Sequence, residues 1–187
     1  MNFLFDSYFK AYKYDLINKF FYKNTKKLPK FKKIVLNFNC KTTELKKLIF
    51  TLLALELITN QISTTTTAKK PNIILKIRKG NPIGCKVTLR KKTMFFFLTR
   101  IIIEIIPKLK NFQGLRIKKK SNKNMFNYEL NNTFIFSELE NNYYLFNNLP
   151  KLSITIVTNA KKKEEMLYSL KLIRLPFEKR LANITQR

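Results

Sequence analysis

The sequence predicts an α+β fold, an antiparallel or mixed sheet with helices packed on one face and the other face turned toward a polyanion. Three observations carry this. Segments of helical and of strand periodicity are mixed along the chain without strict βαβ alternation. One segment, Ile83 to Arg90, splits into an apolar face (Val87, Leu89) and a polar, cationic one (Lys86, Thr88, Arg90). A hydrophobic content of 45% with 13% aromatics in 187 residues is enough for a packed core and argues against disorder.

Phe5, Phe9, Tyr12, Leu16 and Phe20 fall at helical spacing, with Asp6 or Ser7 as a cap, so the chain opens with an amphipathic helix. Its aromatic stripe reads as a core face. Lys26 to Lys30 around Pro29 is a basic linker, and Phe31 to Phe38 is a strand. Ile34, Leu36 and Phe38 take one face of it, while Lys33, Val35 and Asn37 take the other. From Thr43 as N-cap a helix runs to about Asn60, with Leu45, Leu48, Ile49, Leu52 and Leu55 directed to the core. Its apolar stretch is too short to span a bilayer and contains Glu56. Thr64 to Thr67 is strand, because four β-branched residues disfavour helix.

Lys69 to Lys79 places Lys69, Lys70, Lys76, Arg78 and Lys79 around Pro71 and an apolar tip, Ile73 to Leu75. A loop that touches a polyanion accommodates both features. The chain has only three glycines, Gly80, Gly84 and Gly114, each expected where a side chain would be forbidden. Gly80-Asn81-Pro82 signals a tight turn, Gly84 opens the strand to Arg90, and Gly114 follows a helix as a left-handed cap. That helix is expected from Thr93 as cap to about Phe112. Met94, Leu98, Ile101, Ile105 and Leu109 would point inward, Arg100, Glu104 and Lys108 outward, and Pro107 would kink it.

Arg116 to Asn124 is a basic loop with Lys118, Lys119, Lys120 and Lys123. Met125 to Leu130 and Thr133 to Phe136 are strand candidates, and Glu138 to Leu149 reads as an irregular connection. Leu152 to Thr158 is a strand, and a last helix, about Lys162 to Arg174, carries Met166, Leu170 and Ile173 on one side. Residues 1–177 form one domain and 178–187 a short basic tail.

Charge is the extreme property: 38 Lys and Arg against 11 Asp and Glu, a formal net charge of +27. Such a chain repels itself unless a polyanion neutralises it, and the spread of charge along the whole chain favours nucleic acid over a membrane surface. Histidine is absent, which removes the usual general base and the commonest metal ligand. Cys40 and Cys85 stand far apart with no CxxC spacing and read as small buried hydrophobes. Neither a Walker A sequence nor a dinucleotide fingerprint occurs, and Glu164-Glu165 reads as a favourable charge pair at a helix start. No enzyme, no cofactor and no metal is expected. The abundance of Phe, Tyr, Ile, Asn and Lys, whose codons are AT-rich, points to an organelle genome. The first fifteen residues carry Asp6 and Asp15 and no Arg, unlike a mitochondrial leader, so synthesis inside the organelle is expected.

The segments KIRKGNPIGCKVTLR (76–90) and PKLKNFQGL (107–115) closely resemble the signature of a known family, large-subunit ribosomal protein five, the component that binds 5S rRNA. A thinner similarity runs from about Phe5 to Phe177. The resemblance implies a structural constituent of the large ribosomal subunit in the central protuberance, on a mitochondrial matrix ribosome. Its implied partners are large-subunit rRNA, 5S rRNA where the ribosome has one, P-site tRNA, and neighbouring ribosomal proteins including a small-subunit bridge protein. A family trio of Asn, Gln and Thr that contacts 5S rRNA aligns with Asn37, Gln61 and Thr88, and Lys86 and Arg90 share that strand's cationic face. Lys70, Lys76, Arg78 and Lys79 lie in a segment that looks like the loop reaching the P-site tRNA elbow. The chain departs from the family pattern at Asn37 to Lys41, at Ile73-Ile74, at Ser121 to Asn124 and at Phe136-Ser137-Glu138. A free-standing RNA-binding regulator or RNA-processing cofactor is the alternative class.

Overall fold

The computed structural model describes residues 2–40, 44–110, 112–116 and 123–178, with side chains from residue 11 onward. The elements in order are α1 (Asn2–Lys19), β1 (Phe31–Asn39), α2 (Leu45–Thr59), β2 (Thr64–Thr67) and β3 (Pro82–Leu89). A continuous helical run follows, α3 (Lys91–Arg100), a π-helical turn (Ile101–Ile105) and α4 (Ile106–Lys108). The chain ends through β4 (Met125–Leu130), α5 (Ser137–Glu140), α6 (Tyr143–Phe146), β5 (Leu152–Thr158) and α7 (Lys163–Leu172). Helices combine with one five-stranded sheet of order β2-β3-β1-β5-β4, so the α+β expectation holds. The basic linker contains a single 3-10 turn, Thr25–Lys27.

The chain packs as two units. One gathers residues 1–32, 111–126 and 156–187, the other residues 33–110 and 127–155. In the first, Tyr12 and Leu16 of α1 are buried, and the Tyr12 hydroxyl donates to the Pro29 carbonyl at 3.1 Å. Burial pushes that phenol up to about 12, with a hydrogen bond to Ser169 working against the shift. Phe20 meets Tyr168 of α7 edge-on, and Lys19 stands 4.5 Å over the same ring. Since α1 already runs from Asn2, Asp6 and Ser7 lie inside it and do not cap it.

The second unit holds most of the sheet. Strand β3 pairs antiparallel with β1 in the register Leu36↔Val87, Asn37↔Lys86 and with β2 in the register Thr64↔Lys86. Alternation sends Ile34, Leu36, Phe38, Cys85, Val87 and Leu89 into the core against α2. Cys40 and Cys85 are both free and buried, and Cys40 Sγ lies 3.6 Å from the Thr51 hydroxyl.

Helix α2 begins after Glu44, and Thr43 lies outside the described residues. Its buried side is Leu48, Thr51, Ala54, Leu55 and Ile58, so Leu45 and Ile49, expected in the core, are exposed. The helix is apolar nearly all round, and periodicity alone does not choose a face. Small residues decide it: Ala54 and Thr51 are both fully buried, and Thr51 satisfies its hydroxyl on the Leu48 carbonyl at 2.8 Å. The helix closes on Asn60, left-handed at φ 52°.

The next helix starts at Lys91, with Arg90 as N-cap residue, and Thr93 does not cap it but donates its hydroxyl back to the Arg90 carbonyl at 2.8 Å. Pro107 lies in the last turn of this helical run, directly after the π-helical turn. The π turn widens the backbone just before it, with the Ile106 amide reaching the Ile101 carbonyl, and the helix stops at Lys108 rather than Phe112. Arg100 is no outward cation either. Its guanidinium bonds Glu138, Glu104 and the Ile58 carbonyl. Gly114 (φ +108°) therefore caps no helix. A Cβ there would sit 2.6 Å from the Glu178 amide nitrogen, because Leu115 pairs with Pro176 and Phe177.

Thr133 to Phe136 is a turn and not a strand: the Asn132 side chain accepts from the Phe134 amide, and Phe136 leads into α5. The stretch after Glu138, expected to be irregular, contains α5 and α6. Lys118, Lys119 and Lys120 lie outside the described residues, as do residues 179–187 of the tail.

Candidate nucleic-acid interface

The face of the sheet away from α2 is built by register. Residues opposite one another in an antiparallel pair point to the same side, so Asn37 with Lys86 and Val35 with Thr88 stand on one face. Lys86 is exposed, while Asn37 and Thr88 are half-buried. Thr64 extends the row onto the edge strand, its hydroxyl donating to the Lys86 carbonyl at 3.1 Å. The rest of the face was not singled out from the sequence. Ser153 and Thr155 alternate with buried Leu152, Ile154 and Ile156 on β5, and Thr155 donates to Asn127 of β4 at 3.3 Å. The period-2 pattern of LSITI was the signal available for them.

Asn37 is chemically unusual on this face. Its Oδ1 is buried and has no hydrogen-bond partner among the described residues. A buried amide acceptor left unpaired costs about 1–3 kcal/mol. A donor from outside the chain would remove that penalty once the half-buried side chain turns its oxygen outward.

Gln61 is not on the strand. It follows the left-handed Asn60, its amide donates to the Thr59 hydroxyl at 3.4 Å, and it stands three residues before Thr64. That separation is at most about 10 Å of extended chain, so Gln61 belongs to the margin of the row. Arg90 has left the sheet but stays extended (φ −138°) and exposed at the start of α3.

The loop between β2 and β3 is closed at its base and at its tip. Ala68 pairs with Asn81 and Gly80, and Asn72 pairs with Ile77 through two backbone bonds of 2.9 Å. The Asn72 side chain accepts from the Ile74 and Leu75 amides, and Lys76 takes a left-handed conformation (φ 52°). Ile73 and Ile74 are left 92% and 91% exposed at the tip. Lys69, Lys70, Lys76, Arg78 and Lys79 are exposed around them, and Ile77 is buried. Gly80 (φ +91°) makes the turn that returns the chain to β3. Gly84 has another reason to be glycine and lies inside the strand. A Cβ there would come within 2.4 Å of the Phe38 carbonyl oxygen.

Among the described residues no group of three or more His, Cys, Asp or Glu could hold a metal, and no helix is long and apolar enough to cross a membrane. What the geometry defines is a basic α+β protein with a polar sheet face and a cation-rimmed loop. The comparisons narrow the class. The sequence pattern of the C-terminus of the ribosomal L5 family matches residues 82–177. The chain is 37% identical to the large ribosomal subunit protein uL5m of Reclinomonas americana, over 96% of this chain and 100% of that one. It is 39% identical to uL5 of Wigglesworthia glossinidia brevipalpis (94% and 99% covered) and 36% identical to uL5c of Mesostigma viride (88% and 89% covered). The chain belongs to the ribosomal L5 family. It is a structural, non-enzymatic constituent of the large ribosomal subunit that associates with rRNA.

Proposed function

We propose that the chain sits in the central protuberance of a mitochondrial matrix ribosome and holds 5S-type or large-subunit rRNA on its sheet face. Asn37, Thr88 and Lys86 form the centre of the contact, with Gln61 and Arg90 at its margins. Asn37 supplies the observation that carries this reading, a buried unpaired acceptor in register with the Lys86 cation and on the same face as the Thr88 hydroxyl. A ribose 2′-OH or a base N–H is the donor it lacks. Lysines of the loops neutralise phosphates and set affinity without reading sequence. The loop with Lys70, Lys76, Arg78 and Lys79 extends from the opposite end of β3 and reaches P-site tRNA, and a small-subunit bridge protein is a further neighbour. The organellar setting is supported by the uL5m and uL5c relatives.

Complementation of a depleted ribosome separates the two contacts. The Asn37→Ala, Thr88→Ala double variant should co-sediment with large subunits at least tenfold less than the wild type. Arg78→Ala should enter subunits normally and lower P-site tRNA occupancy. Normal incorporation of the double variant would sink the sheet-face assignment. Loss of incorporation with Arg78→Ala would move the loop to the assembly surface.

A further inference from the structure

In the second unit the side that carries α2 is chemically unlike the rest of the chain. Leu45, Ile49, Leu53 and Leu57 follow one another at i, i+4, i+8 and i+12 and are exposed from 66% at the first to 40% at the last. Such a row is one of the two ridges that helices use to interdigitate, here about 18 Å long. Helix α6, which packs against α2, adds exposed Tyr143 and Tyr144. Exposed apolar side chains scattered singly need no explanation, but a row of four beside two tyrosines does.

Charge decides what can cover it. Glu44 and Glu56 of α2 and its cap are matched by Lys46 and Lys47, while α5 and α6 carry Glu138 and Glu140 and no Lys or Arg. Arg100 takes Glu138, leaving exposed Glu140 beside the tyrosines. In a chain of net charge +27, the described residues of α2 with its cap, α5 and α6 carry no cationic excess. RNA would find no net positive charge on these helices, and a second copy of so cationic a chain would be repelled.

We propose that the α2 ridge docks an amphipathic helix of another protein of the large subunit, apolar on the face it presents and carrying Lys or Arg near Glu44 and Glu140. Ridge-in-groove packing supplies the fit, and the neutral-to-acidic rim selects a basic protein over a nucleic acid. The inference concerns a different surface from the rRNA face and does not depend on which RNA that face meets.

Site-specific photocrosslinking in assembled large subunits tests it. A p-benzoylphenylalanine at position 49 should crosslink to a helical peptide of another ribosomal protein. At position 86 the same probe should crosslink to rRNA. The Ile49→Lys, Leu53→Lys double variant should keep the wild-type melting temperature and bind rRNA within twofold, because both side chains already face solvent. The protein found in the crosslink should then fall at least fivefold in purified subunits by quantitative mass spectrometry. Crosslinking of position 49 to rRNA, to a second copy, or to nothing would overturn the proposal. So would an unchanged protein inventory in subunits carrying the double variant.

Discussion

The sheet face around Asn37 and the loop from Lys69 to Gly80 are joined by one strand, β3, yet they are built on opposite principles. The sheet face is half-buried, held by ladders on both sides of β3, and presents few charges with one unpaired acceptor. The loop stands out of the fold with an apolar tip and five exposed cations, and its backbone bonds are nearly all to itself. A surface of the first kind is preorganised, so a partner meets a backbone framework that is already ordered. A surface of the second kind attracts at a distance and adapts on contact. The difference teaches how one chain could combine a fixed seat in a particle with the transient contact proposed for its loop.

The largest effect should come from breaking the framework under the sheet face. Gly84→Val drives a side chain into the Phe38 carbonyl, a contact of 2.4 Å for the Cβ alone, and should destabilise the protein by roughly 2–3 kcal/mol in urea unfolding. The matching change in the loop turn, Gly80→Ala, meets nothing within 4 Å and strains only a backbone at φ +91°. It should cost about 1 kcal/mol. Equal costs for the two would mean that β3 adjusts, and that the sheet is not the more rigid region.

Alkaline titration reaches the same framework from its buried side. Burial pushes the Cys85 thiol up to about 11 from an ordinary 9, opposed by its hydrogen bond to Thr51. A folded pKa above the unfolded one stabilises fully below the unfolded value and loses that contribution as pH rises through the folded value. Stability should hold to about pH 8.5 and then fall by on the order of 2 kcal/mol between pH 9 and 11. Cys85→Ala should flatten that window, whatever its own cost at pH 7. A loss as steep in the variant would assign the fall to the tyrosines, whose titration begins near pH 10.

Asn37→Ala should separate binding from folding. The affinity for the rRNA fragment should drop by about 1–3 kcal/mol, measured by filter binding. Folded stability should stay constant or rise by up to about 1 kcal/mol, since an unpaired buried acceptor is removed. A loss of stability without loss of affinity would show that Asn37 serves the fold. The smallest effect is expected at the loop tip. Ile73→Ser with Ile74→Ser should leave stability within about 0.5 kcal/mol, because both side chains are already in water. The rRNA affinity should also be unchanged, and any change above twofold would tie the tip to assembly.

Much of the architecture could be read from local chemistry. Period-2 alternation placed β1, β3, β4 and β5 within a residue or two, and it assigned Asn37, Lys86 and Thr88 to one kind of face, because side-chain direction in a strand follows residue parity. The four threonines read correctly as strand, and the charge pointed to nucleic acid as the partner class. The family itself was legible in two short segments around the glycines.

Tertiary structure decided what local pattern leaves degenerate. Helix α2 is apolar on most sides, so only packing onto β3 could choose Thr51 and Ala54 for the core and leave Leu45 and Ile49 outside. Arg100 reads as an outward cation in any helical projection. It becomes an internal tie because Glu138, distant in sequence, is brought to it by the fold. Gly114 looks like a helix cap from its neighbours, but its reason lies in the chain around Glu178. The unpaired Oδ1 of Asn37 is of the same kind. Sequence parity sets the face on which that atom stands, while only the surrounding strands determine that it is closed to water and still without a partner.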